Sequence, residues 1–393
     1  MKEPFISVKK KLKFFSTANQ PYKELRKHLD KQPVGYPATP SGVELRLLKE
    51  IFTTAEAKAA LHLSYKLEPF EAIYNRAKDK KYERQEFKHL IESMEKKGCI
   101  FVKRKDRETY YALHPFVIGF FEMQLKRLTP SLYLDAHKYA LQAYGMEYLT
   151  SHVPQLRVIP IDKSLTLTQN VATYDQIKEI VDRTKDRITA QDCICKVGKD
   201  LIGDPCKVTD RREVCMGFRD FADTYARHGW GRTISKKEAM DILEQNEKDG
   251  LVLMTASMQE PQFLCSCCDC CCGIIETIKI MPRPVDFAAS NFYAELNPDL
   301  CNGCQTCVKR CQMEAIQFNE KAQKAIGIND KRCIGCGLCV STCKTGSIKL
   351  KKKDTEFVPP EDFDELYEVI MQNKKGMGGK IAKMGKAILG VKV

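Results

Sequence analysis

The sequence predicts an α+β chain in three parts: an N-terminal domain of helices closed by a β-hairpin, a central cysteine-rich α+β domain, and a C-terminal module built on a repeated cysteine motif. Three observations carry the prediction. Apolar residues recur at helical spacing in the first half, most clearly Phe87, Leu90, Ile91 and Met94 at i, i+3, i+4 and i+7. Two strand-like runs, 99–103 and 109–113, follow that helix across the charged turn Lys105-Asp106-Arg107. Of the 19 cysteines, one stands at Cys99 and all the others fall between Cys193 and Cys343. With 393 residues, 43% of them hydrophobic, the chain can bury two or three real cores.

Residues 1–40 read as an irregular basic arm, with Lys9, Lys10, Lys11 and Lys13, ending in the turn-rich Gly35-Tyr36-Pro37-Ala38-Thr39-Pro40. Residues 41–125 read as a winged-helix domain, because helices followed by a hairpin have that order. Ser41 and Glu44 have capping-box spacing ahead of the stripe Leu47, Leu48, Ile51 and Phe52. The helix over 83–97 meets Gly98 where a C-cap belongs. Residues 126–190 read as a helical connector, broken by Pro130, Pro154 and Pro160, with a strand over 155–161.

Residues 191–285 form the cysteine-rich domain. Ser235 and Glu238 repeat the capping-box spacing, Ala239, Ile242 and Leu243 supply a buried face, and Gly250 stops the helix before a strand over 251–254. Residues 286–350 carry the repeated motif, with a hairpin over 315–319 and 324–328. Residues 351–393 are a basic tail, with a helix near 361–373, the glycine-rich Gly376-Met377-Gly378-Gly379, and an amphipathic end from Lys380.

The motif is Cys301-x-x-Cys304-x-x-Cys307-x-x-x-Cys311, repeated as Cys333-x-x-Cys336-x-x-Cys339-x-x-x-Cys343. Iron–sulfur clusters take soft thiolate ligands in tetrahedral array. Three cysteines of each run wrap one cubane, and the fourth reaches the other. Cys301, Cys304, Cys307 and Cys343 are therefore expected to hold one [4Fe–4S] cluster, and Cys333, Cys336, Cys339 and Cys311 a second. That is the design of a bacterial two-cluster ferredoxin. Zinc ribbons also use C-x₂-C pairs, but not four cysteines in this pattern twice. Gln312 and Lys344 stand where proline often follows the fourth cysteine, which predicts a wetter, polar flank.

Upstream, Cys193, Cys195, Cys206 and Cys215 are expected to ligate a third [4Fe–4S] cluster, with zinc as the alternative. The run 265–272 holds Cys265, Cys267, Cys268, Cys270, Cys271 and Cys272. It offers more thiolates than one cubane needs. Either it holds a further cluster or it shares ligands with the first group, and spacing leaves the subset open.

Absences narrow the function. There is no G-x-x-x-x-G-K-[ST] and no G-x-G-x-x-G after a strand, so no nucleotide, nicotinamide or flavin site is expected. A carrier of single electrons, or an electron-input subunit, fits better than a self-contained reductase. The rival readings are catalysis at 265–272 and a redox-sensing winged-helix regulator. The net charge of +13 suits an acidic redox partner protein, nucleic acid or an anionic membrane. Nucleic acid is disfavoured, because Glu83, Glu86, Glu92 and Glu95 balance Arg84, Lys88, Lys96 and Lys97 on the candidate recognition helix. The hairpin, with Lys103, Arg104, Lys105 and Arg107, is more favourable to it. The tail, with Ile381, Met384, Ile388 and Leu389 among lysines, is the candidate for peripheral membrane contact. Trp230 reads as a core-edge anchor and His228 as structural. No apolar leader or membrane-length run is seen, so a cytoplasmic location with reduced thiols is expected.

One resemblance is specific. It rests on Thr129-Pro130, Pro154-Gln155-Leu156-Arg157-Val158-Ile159-Pro160, Cys193-Ile194-Cys195, Cys206, Cys215, the run 265–272, and Arg310-Cys311-Gln312-Met313-Glu314-Ala315-Ile316. On these residues the chain resembles a family of anaerobic multi-cluster proteins described as 4Fe–4S dicluster-domain proteins. The resemblance implies that the family's cysteines carry over to those named, and that the chain transfers electrons in strictly anaerobic metabolism. It implies no substrate.

Overall fold

The computed structural model describes residues 19–80, 82–151, 153–165 and 171–393. Lys9 to Lys13 of the expected arm lie outside them. The chain divides into two compact units, Met1–Glu147 and Tyr148–Val393. The division falls inside the stretch 126–190 that reads as a connector. Among the described residues no helix is long and apolar enough to cross a membrane.

The first unit contains α1 (Gln20–Asp30), α2 (Val43–Ile51), α3 (Thr54–Ala59), α4 (Phe70–Lys78), α5 (Arg84–Lys96) and α6 (Pro130–Tyr139). The helix α1 corrects the reading of 1–40 as irregular. Pro21 sits in its first turn, and Tyr22, Leu25 and Leu29 are buried along one face. The expected capping box at Ser41 is also absent. Gly42 is the N-cap, in left-handed conformation with φ 65° and no side-chain cap, and the Glu44 carboxylate turns back to the Thr39 N–H and hydroxyl. The capping box that does form is Thr53 with Glu56, one helix later. The helix over 83–97 is found as α5, and Gly98 follows it at φ 67°.

Three short strands complete this unit: β1 (Glu68–Pro69), β2 (Ile100–Lys105) and β3 (Glu108–Leu113), in the order β1-β3-β2. Asp106 and Arg107, at φ 49° and 71°, make the tight hairpin turn. An aromatic cluster fills the core, with Tyr36 4.7 Å from Tyr139 and 5.9 Å from Phe116.

The second unit is built on a six-stranded antiparallel sheet of β4 (Leu156–Ile159), β5 (Ile188–Asp192), β6 (Glu213–Phe218), β7 (Arg232–Thr233), β8 (Val252–Ala256) and β9 (Phe263–Cys267), in the order β4-β8-β9-β6-β5-β7. Its helices include α7 (Ile194–Leu201), α8 (Arg219–Arg227), α9 (Lys236–Asp249) and α10 (Gly273–Lys279). Ser235 caps α9 by accepting the Glu238 N–H, and Gly250 ends it at φ 85°. Trp230 is buried, its ring 4.8 Å from His228 and 5.8 Å from Tyr225, which is the core-edge role expected of it.

The repeated cysteine motif follows on β10 (Phe292–Leu296), α11 (Thr306–Arg310), β11 (Ile316–Asn319), β12 (Lys324–Ile328), α12 (Leu338–Ser341) and β13 (Ile348–Lys352), with β10 paired to β13 and β11 to β12. This module and the cysteine-rich domain belong to one compact unit, not two separate parts. Buried polar contacts fasten them. Arg157, 2% exposed, pairs with Asp175 at 2.9 Å, and Asn291 donates to the same carboxylate at 2.8 Å. Arg332 donates to the Lys279 carbonyl at 3.0 Å and to the Met313 carbonyl at 2.7 Å. Two tail helices, α13 (Phe363–Gln372) and α14 (Met377–Ile388), end the chain.

Candidate metal centres

In the module, the loops after β10 and β12 each carry two cysteines and run into a short helix, α11 or α12, that bears the third, with the fourth just past its end. One cavity is lined by Cys301, Cys304, Cys307 and Cys343, with Leu296 and Ile348 among its apolar walls. A second is lined by Cys311, Cys333, Cys336 and Cys339, with Ile316 and Ile328. Each cavity thus takes three cysteines from one run and one from the other.

Backbone N–H groups point at the sulfurs: Ala325 to Cys301 at 3.4 Å, Ala315 to Cys311 at 3.2 Å, and Ala294 to Cys333 at 3.4 Å. Close approach of the backbone demands glycine at Gly303 and Gly335, at φ 76° and 70°. A Cβ there would strike the carbonyl oxygens of Gln323 and Phe292. Soft thiolates in fours around an apolar cavity, with amides aimed at sulfur, fit a cubane well. Residues 300–353 match the family model of the 4Fe-4S dicluster domain. No curated protein and no solved structure matches the chain. With the cysteine clusters, the match makes this an iron–sulfur protein with [4Fe–4S] cofactors.

The two cavities of the dicluster domain differ in exposure. Cys304 is exposed, and Thr306 draws its thiol below the ordinary value. Cys333 and Cys339 are buried. Burial pushes Cys336 up to about 12 and also raises Cys339 well above the ordinary value. One site therefore lies at the surface and the other inside.

The ten central cysteines fall into two sets that the sequence did not separate. Six of them close a ring of thiol–thiol contacts in the order Cys193, Cys195, Cys272, Cys267, Cys265, Cys215 and back to Cys193. Strand pairing explains half of it. β6 lies beside β9, which sets Cys215 next to Cys265, and Cys267 ends β9. The other half comes from helix starts: Cys193 is the N-cap of α7, Cys195 lies in its first turn, and Cys272 is the N-cap of α10. Tyr148 lies against this ring. Burial, then the charges of Cys272, Cys267 and Cys265, push its phenol far up. Its hydroxyl is buried with no hydrogen-bond partner among the described residues.

The other four are Cys206, Cys268, Cys270 and Cys271, whose sulfurs all lie within 4.8 Å of one another. The expected grouping of Cys206 with Cys193, Cys195 and Cys215 is therefore corrected. Cys206 sits in the loop after α7, and that loop reaches the tight turn between β9 and α10 instead. In each set, thiols from 193–215 lie beside thiols from 265–272. Lys196, 1% exposed, donates to Cys268 at 2.9 Å and to Cys206 at 3.1 Å. Burial alone would lower its pKa, and the two thiols more than reverse that. No spacing or periodicity marked Lys196 as a site residue.

Gln312 is also corrected. It is buried rather than a wet flank of Cys311. Its side chain accepts the Asp269 N–H at 2.9 Å and donates to the Gly250 carbonyl at 2.9 Å. It thus spans from a cysteine of the inner cavity to the turn between Cys268 and Cys270. Lys344 is exposed, as its charge suggests. Cys99 lies in the other unit, buried, donating to the Ile51 carbonyl at 3.7 Å, with its thiol pushed up to about 12 by burial.

Proposed function

We propose that the chain is a carrier of single electrons, or the electron-input subunit of an oxidoreductase, working with a redox partner protein in anaerobic metabolism. The observation that carries this reading is the pair of cavities, each lined by four cysteines drawn crosswise from the two runs. A [4Fe–4S] cluster, when bound, takes up and releases one electron without making or breaking bonds to carbon. The residues here supply the rest. Cys301, Cys304, Cys307 and Cys343 would hold one cluster at the surface, and the exposed Cys304 edge is where a partner would approach. Cys311, Cys333, Cys336 and Cys339 would hold the second inside, with Ile316, Ile328 and Ile334 keeping water away. Gln312 fixes that inner site against the central loops.

The ring of Cys193, Cys195, Cys215, Cys265, Cys267 and Cys272 is the best seat for a further cluster. The Tyr148 hydroxyl beside it is left free to donate a hydrogen bond to it. Basic residues favour an acidic partner surface. Anaerobic spectroelectrochemistry tests the reading. Reversible uptake of about two or more electrons per chain is expected, and irreversible bleaching on the first reduction would refute it.

One observation supports the rival regulator. Lys105 and Arg107 of the hairpin in the first unit, read as a winged-helix domain, are exposed. Against it, the neighbouring cations are engaged: Arg84 with Glu71, Lys88 with Glu92, Lys97 with Glu56 and Arg104 with Glu95. A DNA reader would bind mixed-sequence duplex with a steep negative salt slope, and a carrier would not.

A further inference from the structure

The four central cysteines outside the ring have dimensions of their own. Cys206 Sγ lies 3.7 Å from Cys268 and 3.8 Å from Cys270, and Cys270 lies 3.6 Å from both Cys268 and Cys271. A single tetrahedral ion with metal–sulfur bonds of about 2.3 Å spaces its four sulfurs roughly 3.8 Å apart. A cubane sets its thiolates around a cage of four irons and needs them wider. The same chain supplies the comparison. Among the described residues, the set Cys206, Cys268, Cys270 and Cys271 is the one group of three or more ligating side chains whose donor atoms all fall within 4.8 Å. The dicluster cavities do not meet that distance.

Local structure makes the tight spacing natural. The turn between β9 and α10 closes on itself through Cys272 N–H to the Cys268 carbonyl at 3.0 Å, so Cys268, Cys270 and Cys271 converge from one loop. The Lys207 N–H adds a donor to Cys270 at 3.4 Å.

Charge gives a second, independent sign. Lys196 is 1% exposed, and its ammonium donates to two of these sulfurs. A buried cation is tolerated where anions face it. Four thiolates around a divalent ion leave a net charge of about −2, which a buried lysine would partly offset.

We propose that Cys206, Cys268, Cys270 and Cys271 bind one divalent tetrahedral ion, zinc or ferrous iron, as a mononuclear tetrathiolate site separate from the iron–sulfur cages, with Lys196 as its charge-compensating neighbour. The ion pins the loop after α7 to the β9–α10 turn. It thereby fixes Asp269, whose N–H meets Gln312. The role is structural, and no electron need reside there. The inference stands apart from the electron-transfer reading.

The test is elemental analysis and X-ray absorption on the full chain purified without oxygen, beside Cys270→Ser and Lys196→Met. If zinc is the occupant, about one zinc per chain with four sulfur neighbours near 2.3 Å is expected. If iron is the occupant, about one iron per chain should exceed the labile sulfide, with a high-spin ferrous tetrathiolate Mössbauer signal. In either case Cys270→Ser should lose that ion and keep its labile sulfide. Lys196→Met should hold the ion at least about tenfold more weakly against a chelator. Should the variants fail to fold, the wild-type protein decides alone. Iron and sulfide in equal numbers with no zinc would overturn the proposal, as would loss of iron and sulfide together from Cys270→Ser.

Discussion

Tyr148 is where a single atom bears on the chemistry. Its hydroxyl is buried beside Cys265, Cys267 and Cys272, with no partner among the described residues. A hydrogen bond given to cluster sulfur favours the reduced, more negative state. With the proposed further cluster seated in the ring, Tyr148→Phe should leave iron content unchanged and lower one midpoint potential. A hydrogen bond of about 1 kcal/mol corresponds to roughly 40 mV for one electron. Voltammetry of the two proteins checks this, and identical potentials would remove Tyr148 from the site. His114 makes a pH prediction in the first unit. Burial holds its imidazole at about 3, against the ordinary 6.5. Between those values the unfolded chain takes up a proton that the fold refuses. The stability contributed by neutral His114 is thus complete above pH 6.5 and lost as pH falls toward 3. Hydrogen-exchange protection in residues 87–120 should drop over that window, and drop less in His114→Phe.

Among the elements, helix starts separate what pattern can tell from what it cannot. Ser41-x-x-Glu44 and Thr53-x-x-Glu56 satisfy the same capping rule, yet only the second forms a box. The left-handed Gly42 takes the cap position at α2 and leaves Ser41 outside. Thr53→Ala should cost about 0.5–2 kcal/mol, and Ser41→Ala close to nothing, in thermal or urea unfolding. Equal losses would contradict the assignment. The strongly periodic helix α5 and the hairpin after it were legible from residue spacing and turn chemistry. The helix α1 was hidden, because lysines and histidine dilute its stripe of Tyr22, Leu25 and Leu29.

For the whole molecule, the same contrast governs the metal centres. The crossed partition of the eight cysteines at 301–343 was readable, because three-residue spacing confines each trio to one loop and the repeat places the fourth. The partition of the ten at 193–272 was not. It depends on β6 lying beside β9 and on two helix starts converging, contacts between residues some fifty or more positions apart. Adjacent cysteines such as Cys271 and Cys272 even go to different sets. Lys196 escaped, and Gln312 was misplaced in solvent, for the same reason: each acts through partners distant in sequence.

We propose that the dicluster domain holds two four-iron cages, whatever the central cysteines bind. Counting iron and acid-labile sulfide per chain in protein purified without oxygen tests it most directly. About eight or more of each are predicted. A colourless, folded chain with fewer than about eight irons and eight sulfides after anaerobic reconstitution would contradict it.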